Sequence, residues 1–131
     1  MGKRVAIIAS SGGLETAYKV FNIALAAAAM DSEVGIFFTF EGLPIIHKDG
    51  PSMLKLKPEN APMEEGFKRT NVPPIQDLIQ MAKESGVRLI GCQMTVEALG
   101  WKPEDFIDGV EFAGAATFVE FAQDAQVTLS F

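Results

Sequence analysis

Apolar residues in this chain fall into short unbroken runs that alternate with stretches of helical spacing, and that alternation is its main structural signal. Val5-Ala-Ile-Ile-Ala9 is a continuous apolar run between Lys3-Arg4 and the loop Ser10-Ser-Gly-Gly13, the pattern of a strand covered on both faces. From Leu14 to Met30 the polar residues Glu15, Lys19 and Asn22 stand at i, i+4 and i+7, which predicts a helix with one narrow solvent stripe. Its last two turns have no polar face, so a neighbouring subunit is expected to cover them. Glu33-Val-Gly-Ile-Phe-Phe-Thr-Phe40 reads as a second buried strand ending near Glu41-Gly42.

The pattern then breaks. Six of the seven prolines lie between Pro44 and Pro74 with no clear period, predicting an irregular excursion over about 44–73 with at most one short helix. Long loops of this kind usually serve as lids or contact segments. Periodicity returns after Pro74, where Ile75, Leu78, Ile79 and Ala82 mark one helix face and Gly86 closes it. Val87, Leu89 and Ile90 predict a strand running to Cys92, and Thr95 is the expected N-cap of a helix over Val96–Leu99 with Glu97 in its first turn. A short helix over Pro103–Ile107, a turn at Asp108-Gly109 and a strand over Val110–Ala113 follow. A helix over Ala115–Ala125 with Phe118, Val119 and Ala122 on one face, then a strand over Val127–Phe131, close the chain. Strands alternating with helices predict a single α/β domain over 1–131, a three-layer α/β/α arrangement around a parallel five-stranded sheet. Ligands of such sheets bind at the carboxyl ends of the strands, where Ser10–Gly13, Thr39–Gly42 and Cys92–Thr95 converge.

Composition narrows the function classes. A 131-residue chain that is 48% hydrophobic and 21% charged is an ordinary globular domain. Its formal charge of −6 argues against nucleic-acid binding, which needs clustered Lys and Arg. One cysteine excludes an internal disulfide and any multi-cysteine zinc site, and fits a reducing compartment. The five apolar residues of the first run are too few for a signal-peptide core, and the longest apolar run, Ile23–Met30, is far short of the roughly 20 residues that span a bilayer. A cytoplasmic protein without a membrane span is expected.

Candidate chemistry centres on Cys92. A thiol at a strand end, with amide groups of a following helix start turned toward it, favours the nucleophilic thiolate. The competing reading is a buried cysteine acting as a small hydrophobe. Ser10-Ser-Gly-Gly13 would let backbone amides approach an anion, or is a plain strand-to-helix turn; it matches neither the dinucleotide fingerprint nor a phosphate-binding loop with its lysine, so a nucleotide or flavin site is the weakest reading. His47, the single histidine, has no partners at metal-ligand spacing, and no Ser-His-Asp arrangement can be built on it. Glu64-Glu65 and Lys68-Arg69 read as a solvated helical turn with i, i+4 pairing. No metal or cofactor is expected.

Three segments resemble one family. Phe37-Phe-Thr-Phe-Glu-Gly-Leu43, Leu89-Ile-Gly-Cys-Gln-Met-Thr95 and Asp108-Gly-Val-Glu-Phe-Ala-Gly114 are similar to the DsrE/DsrF-like family of sulfur-trafficking proteins. The resemblance implies a compact α/β/α domain that assembles into trimers or hexamers, with a cysteine that carries sulfur as a persulfide or thiosulfonate. Carried onto this sequence, Cys92 is the acceptor. Ser10, Ser11, Gly12, Gly13, Thr39, Phe40, Met94 and Thr95 would surround the substrate, with amides from Ser11–Gly13 steadying its charge. A sulfur-donor or acceptor protein, such as a small sulfur carrier or a rhodanese, would be the partner. Glu41 stands where close relatives often have an aromatic, and the middle segment lacks the family's methionine- and glycine-rich pattern. The rival expectation is a noncatalytic oligomeric binding module in which the cysteine is inert.

Overall fold

A computed structural model describes residues 3–131. The first half comprises β1 (Arg4–Ala9), α1 (Leu14–Ala29), β2 (Glu33–Phe38), a 3-10 helix (Phe40–Ile46), α2 (Gly50–Met53), a second 3-10 turn (Pro58–Asn60) and α3 (Pro62–Arg69). The second comprises α4 (Ile75–Glu84), β3 (Arg88–Cys92), α5 (Gln93–Ala98), a 3-10 turn (Pro103–Asp105), β4 (Val110–Ala113), α6 (Ala115–Gln123) and β5 (Val127–Ser130). The five strands form one sheet in the order β4-β3-β2-β1-β5, and every pairing is parallel. The α/β architecture expected from the sequence is present.

Alternation along each strand divides the core in two. Val5, Ile7, Val34, Ile36, Phe38 and Leu89 pack toward α1 and α4, in the larger cluster. Ala6, Phe37, Ile90 and Cys92 point to the other face, where Phe118 and Phe121 of α6 meet them. Phe37 and Phe118 stack with centroids 5.3 Å apart. Burial on both faces is why the strands read as unbroken apolar runs.

Several expectations need correction. The segment over 44–73 is largely helical. Leu43, Ile45 and Ile46 of the first 3-10 helix are buried, and α2, the second 3-10 turn and α3 each carry a proline at their first or second position. Three of the prolines that read as breakers, Pro51, Pro58 and Pro62, are helix starters, since the first turn has no use for their missing N–H. The pairing expected in α3 is present, with Lys68 Nζ 3.9 Å from Glu64 Oε1.

The apolar end of α1 is covered mostly from within the chain: Ala24 and Ala27 are buried in the large cluster, and Ile23, Leu25 and Ala28 pack against it. Only Ala26, Ala29 and Met30 of its last two turns are exposed. On α6 the buried pair is Phe118 and Phe121, whereas Val119 is 51% exposed. Among the described residues no helix is long and apolar enough to cross a membrane.

Candidate functional site around Cys92

Period two along β3 places Ile90 and Cys92 on the α6 face, as their spacing predicts. Cys92 is the last residue of β3 and, with φ −66° and ψ 111°, also the N-cap of α5. The helix therefore begins earlier than expected, and Thr95 is its third residue, not its cap. N-cap acceptors receive the amides of the second and third helical positions. Here those positions are Met94 and Thr95, whose amides favour the Cys92 thiolate although its side chain makes no cap hydrogen bond.

Thr95 is 4% exposed because its hydroxyl is engaged sideways. It lies 3.3 Å from Thr39 Oγ1 at the end of β2 and accepts the Phe40 amide at 3.4 Å. Both threonine hydroxyls also lower the pKa of the Cys92 thiol. Burial pushes the thiol's pKa up, since a charge near apolar groups loses hydration; the hydroxyls of Thr95 and Thr39 and the two amides outweigh it, leaving the thiol below its ordinary value. Cys92 is thus a thiol shifted toward its anionic form in a place that is 4% exposed.

Two apolar side chains flank this nest. Phe40 is 57% exposed and has φ 48°, a left-handed conformation that costs a bulky residue of order 1–3 kcal/mol. Met94 turns its amide inward while its side chain is 60% exposed.

The loop after β1 behaves differently from expectation. The amides of Ser10 and Ser11 both donate to the Phe131 carbonyl, at 2.8 and 3.2 Å, and Ser10 Oγ donates to the same oxygen. Ser11 therefore has no amide free for an anion. Ser11 and Gly12 open on a cavity of about 360 Å³ that also holds Glu15, Lys19 and Lys57, not on Cys92. Glu15 accepts bonds from the Asn60 side chain and the Lys57 amide, and the Asn60 bond in particular holds its carboxyl below the usual range, so this loop faces a carboxylate.

Of the residues expected at the site, Thr39, Met94 and Thr95 act on the Cys92 thiol and the Phe40 amide bonds Thr95, whereas Ser10 bonds Phe131 and Ser11 and Gly12 line a separate cavity. Sequence reasoning missed that the two threonines bond each other and together favour the thiolate. The signal was available in part, because β2 ends at Phe38, just before Thr39, beside the end of its parallel neighbour β3 at Cys92. His47 is 9% exposed, wedged against Trp101 and Phe106 with centroids 4.7 and 5.6 Å away. Among the described residues no three His, Cys, Asp or Glu side chains converge as a metal site would require.

Comparison with known proteins gives this geometry a context. The model of the DsrE/DsrF/DrsH-like family matches residues 1–65 and 57–130, which together span the fold and include Cys92. The chain belongs to this family. It is 35% identical to the sulfur carrier protein DsrE2 of Allochromatium vinosum, with 97% of both chains covered. It is 30% identical to the uncharacterized protein YrkE of Bacillus subtilis, over 97% of this chain and 96% of that one. The alignment to DsrE2 runs over 156 residues against the 131 here, so that relative carries extra residues within the matched span. The two family segments overlap at 57–65, inside the proline-rich segment. Among solved structures the ychN protein of E. coli matches with a TM-score of 0.72 at 17% identity, covering all of both chains, a likeness of fold.

Proposed function

We propose that the protein is a sulfur carrier in which Cys92 is the acceptor. The observation that carries this reading is a single thiol at the end of β3 and the start of α5, beside the Thr39–Thr95 hydroxyl pair and held below its ordinary pKa. A relative of near-equal span that is named a sulfur carrier supports the class of cargo. The thiolate attacks the outer sulfur of a persulfide R–S–SH, the S–S bond of the donor breaks, and RS⁻ leaves with Cys92 as Cys–S–SH. With thiosulfate the leaving group is sulfite; with tetrathionate it is thiosulfate and Cys92 becomes Cys–S–S–SO₃⁻. In the second half an acceptor thiolate takes the outer sulfur and Cys92 thiolate leaves. With no second cysteine the protein cannot resolve its cargo as an internal disulfide, so it hands the sulfur to a partner thiol, such as that of a small sulfur carrier or a rhodanese. Thr39, Phe40, Met94 and Thr95 surround the transferred group. We place the protein in the cytoplasm as a homo-oligomer, a trimer or hexamer as the family resemblance implies.

The 4% exposure of Cys92 favours a second reading, an assembly module with an inert thiol. Intact mass spectrometry separates the two. Native protein treated separately with a persulfide, thiosulfate and tetrathionate should gain one sulfur or one thiosulfonate group, lose it on reduction, and gain nothing as Cys92→Ser. An unchanged mass with every donor selects the inert thiol.

A further inference from the structure

We propose that a cavity of about 220 Å³ beside α2 and α4, remote from the thiol, binds a small organic acid with a carboxylate on an apolar stem. None of the residues bonded to Cys92 lines it. Its apolar surface comes from Ile45, Ile79 and Ile107. Lys48 and Lys83 supply two positive charges, and no Asp or Glu is among the lining residues, in a chain whose formal charge is −6. Neither lysine is in an ion pair among the described residues. The Lys83 arm lies along Gly109, where an added Cβ would stand 3.2 Å from its Cε.

His47 gives the cavity a fixed donor. The ring is 9% exposed and held by Trp101 and Phe106. Nδ1 accepts the Asp49 amide at 3.0 Å, so the neutral ring carries its proton on Nε2, which has no protein partner among the described residues. Asp49 has its carboxylate 3.9 Å from the same Nδ1 and does not line the cavity. A bare inorganic anion would leave the three isoleucines wet, and a neutral apolar molecule would leave two ammonium groups without a counter-charge. An amphipathic acid satisfies both. The volume is about that of seven liquid waters at ~30 Å³ each, below the ~300 Å³ at which drug-sized pockets begin, so the ligand is no larger than a substituted benzoate.

Sodium benzoate is the probe, with benzamide as its neutral near-isostere. Titration of the native protein, read by calorimetry and by fluorescence of Trp101, the single tryptophan, should saturate with benzoate. Binding should be about tenfold weaker, or lost, with benzamide and with Lys83→Met or Lys48→Met, a change of about 1.4 kcal/mol. Saturable binding that survives in all these comparisons, or heat and fluorescence that do not saturate with benzoate, overturns the proposal. The outcome is independent of Cys92, so Cys92→Ser should bind benzoate as the native protein does.

Discussion

Thr95 has one proton to give and two lone pairs to offer, and three neighbours compete for them: the Cys92 sulfur, Thr39 Oγ1 and the Phe40 amide. A Cys92 thiolate would close the count, the Thr95 hydroxyl turning to donate to sulfur while its oxygen receives the Phe40 N–H. Removing the hydroxyl takes a donor from the anion and leaves the Phe40 amide without its acceptor. A hydrogen bond to a charged group is worth about 1.5–3 kcal/mol, so Thr95→Val should slow alkylation of Cys92 at pH 7 by roughly tenfold or more. The sign follows from the lowered thiol: the native pH–rate midpoint lies below that of an ordinary cysteine, and losing a donor moves it upward, reducing thiolate at neutral pH. Thr95→Ser should keep most of the native profile. Iodoacetamide rates measured from pH 5 to 10 check this, and superimposable profiles for Thr95→Val and native protein would remove the threonine from the activating set. The sequence made Cys92 legible, because it is unique and ends an apolar run before a helix start. The threonine bonds were not legible, because a hydroxyl's partner depends on strand order that no local pattern encodes.

At the scale of elements, the turn from β2 into the 3-10 helix fixes the site. The Thr39 amide donates to the Ala9 carbonyl at 3.0 Å and the Gly42 amide returns to the Thr39 carbonyl at 2.9 Å, so the ends of β1 and β2 are tied where Phe40 is displayed. A Cβ on Gly42 would overlap the Ala9 carbonyl, a backbone group that cannot swing aside. Gly42→Ala should therefore destabilise by about 1–3 kcal/mol, the cost of overpacking, and lower Tm by several degrees. It should also change the Cys92 alkylation rate, because Thr39 moves with the turn. A native Tm in that variant would mean the turn relaxes freely and is not what holds the threonine. The strands and α4 could be read from periodicity, since their apolar residues follow periods of 2 and 3.6. Of the proline-rich segment only the charged turn of α3 could: the 3-10 helix buries Leu43, Ile45 and Ile46 with no sustained period, and a four-residue helix is too short to display one.

Considered as a whole molecule, the two sides of the sheet are unequally covered. α1 and α4 close one face, whereas α6 alone lies over the other and leaves a recess of about 130 Å³ above Ala6, Ile8 and Thr128. Val119 on α6 is 51% exposed, and Val127 on the edge strand β5 is 44% exposed. An open parallel edge beside a thinly covered face is a surface that a second copy can complete. The apolar turns of α1 are a weaker ground for assembly than the sequence suggested, because α4 and the sheet already bury most of them. Light scattering should accordingly give a mass that is a multiple of 14.1 kDa, and Val119→Lys, which sets a charge on the exposed face of α6, should shift it toward a single chain without unfolding it. A native mass of one chain at every concentration would exclude self-assembly. A native multimer that Val119→Lys leaves intact would place the contact elsewhere, with Phe40 and Met94 at the mouth of the thiol nest as the next exposed apolar pair to substitute. Those two residues can serve a second copy or a sulfur partner, but not both at once. Loss of assembly on Phe40→Ser would therefore mean that Cys92 loads or unloads only while that contact is open.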